Sequence, residues 1–135
     1  MITLSDYFGP WLNHPDATDE VKHDAAVLLA CVNPLLDEAF NSGVDLPINP
    51  TTKSQVSGKQ YGGFRPQSCP EGAPKSSHKV GRGIDIYDPA NELDNWITDK
   101  VLEKHGLYRE SPLHTKGWVH LTDRAPKSGK RTFIP

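Results

Sequence analysis

Two short stretches, Ile84–Tyr87 within GRGIDIYDP and Trp118–Leu121 within GWVHLT, alternate apolar and polar side chains. A period of two marks a strand with one buried face, so each stretch predicts a β-strand, and together they impose a sheet on the chain. In the first, Ile84 and Ile86 point one way and Asp85 the other. In the second, Val119 and Leu121 face one side and Trp118 and His120 the opposite one. If the two strands pair, Asp85 and His120 converge on the same side of the sheet.

Helical patterning fills much of the rest. Thr18 is placed as an N-cap, with Asp19 and Glu20 in the first turn, where the helix dipole favours anions. Val21, Ala25, Leu28, Leu29 and Val32 then recur at helical spacing, and Asn41-Ser42-Gly43 ends the run. Pro34 should kink this helix or start a new one capped by Asn33. A second helix is expected over Asn91–Leu107, with Leu93, Trp96, Ile97, Val101 and Leu102 along one side and Gly106 closing it. Between them, from Pro47 to Pro74, the chain is rich in Pro, Gly and Ser and shows little periodicity. A loop of that length in a small domain is usually functional or disordered. In the tail, Phe133 and Ile134 are expected to tuck back onto the body.

At 135 residues the chain fits one domain, 1–135, with a modest core. The net charge of -2 offers no basic excess to neutralise phosphates, so neither nucleic acid nor an anionic membrane is expected as a partner. No apolar run approaches the ~20 residues of a membrane span. The opening MITLSDYFGP lacks the pattern of a signal peptide, which predicts synthesis in the cytoplasm. Two cysteines make no disulfide framework: Cys31 reads as a buried thiol, and Cys69, in the loop, as a reactive group or metal contact at most. Nothing suggests more than a monomer.

His78 enters just before the first strand, where Gly81 and Gly83 disfavour a stable helix and let the backbone fold the imidazole back over Asp85. His78, Asp85 and His120 would be three of the four tetrahedral ligands that Zn²⁺ prefers, leaving one position for water. Such an open position marks a catalytic rather than a structural site, at which the pKa of water falls towards ~7.

Ser76-x-His78-x-x-Gly81-x-Gly83-x-Asp85 resembles the S-x-H-x-x-G-x-A-x-D motif of the zinc D-alanyl-D-alanine carboxypeptidases and L-alanyl-D-glutamate endopeptidases, and Trp118-Val119-His120 resembles their W-x-H element. VSGKQYGGFRP is similar to the S-G-Y/F-R segment that precedes the first motif, and the closing GWVHLTDRAPKSGKRTFIP looks like the compact phage-encoded branch. The order helix, strand, Arg loop, His-Asp strand, helix, W-x-H strand is also similar. The resemblance spans roughly Ala17 to Asp123. It implies the hedgehog/DD-peptidase fold, an α+β domain in which a small antiparallel sheet with flanking helices carries the zinc. It implies His78, Asp85 and His120 as ligands, with Arg65, Ser76 and Trp118 binding the substrate, peptidoglycan stem or cross-link peptides. An Arg fork suits the carboxylates of such peptides. A phage endolysin or virion-associated wall hydrolase, reaching the wall after release or as part of a virion, is the expected function.

One departure stands out. Many relatives carry an acidic general base three positions before the second His; here that position is Gly117. His114 is the favoured substitute, because an imidazole's ordinary pKa near ~6.5 suits proton transfer at neutral pH; Glu71 and Asp123 are the alternatives. Gly117 also motivates a second expectation, a zinc-containing phage structural or wall-binding protein without catalysis. A metal-free protein with coincidental motifs is the third.

Overall fold

The computed structural model describes residues 1–71 and 76–135. It is α+β. Helices α1 (Leu4–Phe8), α2 (Asp19–Asn41), α3 (Glu92–Trp96) and α4 (Asp99–His105) accompany strands β1 (Gly83–Tyr87), β2 (Tyr108–Glu110), β3 (Trp118–Thr122) and β4 (Thr132–Phe133). The four strands form one sheet in the order β1-β3-β2-β4. β3 runs antiparallel to both β1 and β2, whereas β4 runs parallel to β2. The sheet is therefore mixed rather than purely antiparallel: the tail returns along the outer edge of β2 in the same direction. Phe133 joins the sheet as expected, but Ile134 stays exposed.

The two alternating stretches pair as strands, with Ile84, Ile86, Val119 and Leu121 fully buried on one face. That face lies in one core with Leu28, Val32 and Leu35 of α2 and Leu93 and Leu102 of the later helices. Thr18 caps α2 by accepting from the Val21 amide at 3.2 Å. α2 continues through Pro34 without starting a new helix. Asn33 is no cap; its side chain exchanges two hydrogen bonds with the backbone of Ile2 and ties down the N-terminal segment. The expected second helix is two, because Ile97 is extended and Thr98 caps a fresh start by accepting from Val101.

No strand forms between α2 and the long loop; within the loop, isolated bridges join Asn49 to Ser54 and Val56 to Ile86 of β1. The described part of that loop, up to Glu71, instead lines the free edge of β1. The Ser57 amide donates to the Asp85 carbonyl, and the Asp85 amide donates to the Gly62 carbonyl at 2.7 Å. Residues 72–74, with which the loop was expected to end, lie outside the described residues. Cys31, expected to be buried, is half-buried, and Cys69 of the loop is buried. The Cys69 carbonyl accepts from the Lys79 ammonium at 3.1 Å.

Candidate metal centre

His78 sits on a 3₁₀ turn, Ser77–Val80, which the predicted helix-breaking glycines permit but confine to one turn. Gly81 closes it at φ 76°, a conformation that glycine adopts without strain. Ser76 caps it by accepting from the His78 amide at 3.3 Å. Gly83 then opens β1. A Cβ there would meet Ser77 Oγ at 2.2 Å and His120 Cε1 at 3.2 Å, so the absent side chain is what lets the turn approach the sheet.

Asp85 and His120 are direct cross-strand partners in the β1–β3 register. His120 Nδ1 lies 2.9 Å from Asp85 Oδ1. His78 Nε2 comes within 3.3 Å of the same oxygen, and the two imidazole rings are 5.0 Å apart between centroids. One ligand atom from each residue lies within 4.8 Å of the others, a group that could hold a metal ion. His78 is buried and Asp85 half-buried.

The protonation pattern tests whether a cation fits. His78 Nδ1 is 2.8 Å from the Gly63 carbonyl, which can only accept, so Nδ1 carries the hydrogen in the neutral ring. The lone pair of Nε2 then points at a carboxylate oxygen, and two acceptors at that range repel unless a proton or a metal ion lies between them. The Gly63 carbonyl is the kind of outer partner that fixes the tautomer of a ligating histidine. Two imidazole nitrogens and one carboxylate oxygen suit a transition-metal ion of borderline softness.

Electrostatics point the same way. Burial alone would raise the Asp85 carboxyl; the adjacent imidazoles of His78 and His120, through charge and hydrogen bonding, outweigh it and hold the group well below the usual carboxylate range. The guanidinium of Arg65 takes the other oxygen, Nη2 to Oδ2 at 3.2 Å, while its Nε donates to the Tyr61 carbonyl at 2.7 Å.

The triad forms one wall of an open cleft of about 770 Å³, which Ser76, Trp118, Glu110 and Phe133 also line. A second cavity of about 450 Å³ adjoins it, sharing Arg65, Asp85 and Trp118, and carries Tyr61 and Glu71. The structure thus brings His78, Asp85, His120, Arg65, Ser76 and Trp118 to one place. It does not bring His114 there: that residue is exposed and is not among those lining either cavity. Asp123 is spent on Arg82 at 3.0 Å. Glu110, which sequence reasoning passed over, is in the cleft. Its strand is only three residues long and shows no apolar alternation, so periodicity carried no signal for it.

Comparisons with protein-family models, curated proteins and solved structures find no match. Among the described residues no helix is long and apolar enough to cross a membrane.

Proposed function

We propose that this chain is a zinc-dependent peptidase of the hedgehog/DD-peptidase kind, cleaving stem or cross-link peptides of peptidoglycan, as a phage endolysin or virion-associated wall hydrolase would. The observation that carries the reading is the convergence of His78, Asp85 and His120 on one sheet face inside an open cleft. Three ligands with solvent access, rather than four in a closed core, suit catalysis more than structural metal binding. The S-x-H-x-x-G-x-G-x-D spacing supplies the family half of the argument.

A zinc ion held by these residues supplies a Lewis acid that polarises the scissile carbonyl and makes water a better nucleophile at neutral pH. The residues of the chain do the rest. Gly63 and Arg65 fix the orientation of His78 and Asp85. Arg65, Arg124 and Lys127 line the cleft and favour a substrate bearing carboxylates, which stem peptides do. Trp118, shared by both cavities, offers an apolar wall between them.

The deciding experiment is mass spectrometry of muropeptides after zinc-loaded protein is incubated with purified walls of several chemistries. New peptide termini with wild type, and none with His78→Ala, support the reading. Zinc-loaded wild type that releases nothing from any wall overturns it. The non-catalytic alternative rests on Gly117, which puts no side chain where relatives carry their base; wall binding without cleavage would favour it.

A further inference from the structure

We infer that Glu110 is the acid–base group that moves the proton in this cleft, taking the role that Gly117 cannot fill. The inference rests on the peptidase reading for its reaction, but it stands on sheet geometry of its own. β2 pairs with β3 so that Tyr108 faces Thr122 and Arg109 faces Leu121. Continuing that register by one residue sets Glu110 opposite His120. On the other side of β3, His120 faces Asp85, and on the far side of β2, Glu110 pairs with Phe133. Asp85, His120, Glu110 and Phe133 therefore form a single row across all four strands. Directly opposed residues in a sheet share a face, so the row looks into the cleft that all four line.

Neighbouring strands lie about 4.8 Å apart, so Glu110 begins one strand from His120, with a flexible side chain long enough to lean over it. The chemistry around it is uncommitted. Among the described residues, no hydrogen bond or ion pair engages its carboxylate, although it is half-buried in a cleft whose cations include Arg124 and Lys127. Nor does it belong to the ligand group of His78, Asp85 and His120. A carboxylate beside the ligands, but not among them, is what a proton carrier needs to be. Its neighbour Arg109 points to the opposite face, where it binds Asp94 at 2.9 Å and Thr132 at 3.1 Å, which pins the strand beneath it.

Glu110 accepts one proton from the attacking water as the water oxygen bonds to the amide carbon. The C–N bond then breaks, its electron pair stays on nitrogen, and Glu110 returns the proton to that nitrogen. A carboxylic acid and an amine leave, and the carboxylate is restored. Proton transfer by a positioned group contributes about 10²- to 10⁴-fold to a rate.

The test uses zinc-loaded wild type, Glu110→Gln, Glu71→Gln and His114→Ala. Three readouts are taken: zinc affinity by competition with a chromophoric chelator, affinity for acetohydroxamic acid, and muropeptide cleavage. A hydroxamic acid must shed its O–H proton to chelate a metal ion, and a carboxylate in range takes it, so this probe reads Glu110 whichever bond the protein cuts. Glu110→Gln should keep zinc affinity within about threefold, weaken acetohydroxamate at least about tenfold, and lower cleavage at least about a hundredfold. Loss of zinc affinity by more than about tenfold makes Glu110 a ligand or a structural prop and overturns the inference. So does an unchanged hydroxamate affinity, or a loss that follows Glu71→Gln or His114→Ala instead. If wild type cleaves no wall yet Glu110→Gln alone loses hydroxamate affinity, the peptidase reading falls and the assignment of Glu110 stands.

Discussion

Arg65 Nη2 lies 3.2 Å from Asp85 Oδ2, the oxygen that neither histidine uses, while both imidazoles converge on Oδ1. The carboxylate is thereby divided: one oxygen faces the ligand group and the other is held by a cation anchored to the loop through the Tyr61 carbonyl. A lysine has a single nitrogen and cannot span both partners. Arg65→Lys should therefore destabilise the metal-free protein by about 1–3 kcal/mol, the cost of one unmet buried bond, as measured by urea unfolding. Unchanged stability would show that the bridge does not hold the loop.

The depressed Asp85 carboxyl gives a pH signature. Its ionised form is favoured in the folded state, so the stabilisation is fully present above the ordinary carboxylate value of ~3.9. As pH falls through that value, the unfolded chain takes up the proton first, and the advantage drains away towards the lower folded value. Asp85→Asn should cost the metal-free protein about 3 kcal/mol at pH 7, because His78, His120 and Arg65 all lose their carboxylate partner in a site only 14% exposed. The gap between mutant and wild type should narrow at pH 3. A gap independent of pH would contradict the ionised pair.

Zinc should stabilise the fold. At free zinc a hundredfold above Kd, binding adds about 2.7 kcal/mol, roughly 10 °C in Tm for a domain of this size. His78→Ala and His120→Ala should each abolish the shift in a thermal melt.

Gly63 is tested by the smallest possible addition. A Cβ there would meet the Tyr7 carbonyl oxygen at 2.0 Å, and the Phe64 amide donates to that same oxygen at 3.1 Å. The Gly63 carbonyl also orients His78. Gly63→Ala should cost about 2 kcal/mol in stability and about tenfold in zinc affinity. Loss of stability with full zinc affinity would separate the packing role from the orienting one.

The His78–Asp85–His120 triad was legible in the sequence because its carriers obey local rules. β1 and β3 alternate cleanly, and two glycines bracket the turn that brings in His78. β2 and β4, with three and two residues, are held by partners distant in the chain, so no window along the sequence contains their cause. That is why Glu110 went unread while the more conspicuous His114 drew attention. α1 had a readable sign, since Thr3 and Asp6 form a reciprocal capping box, but its five residues carry too few apolar positions for periodicity to register. The break between α3 and α4 likewise had a local cause in Thr98, whose capping preference competes with an apolar pattern that runs straight through it.

The row Asp85–His120–Glu110–Phe133 draws one residue from each strand, whereas the adjoining cavity is walled largely by a single stretch, residues 57–62. On the proposed peptidase function, reactivity and selectivity are encoded in physically separate parts. Grafting the row onto another scaffold would require the entire sheet. Swapping the 57–62 stretch for another sequence, with Gly62 kept because a Cβ there would strike the Ser57 carbonyl, could retarget the cleft to a different peptide while leaving its reactive face intact.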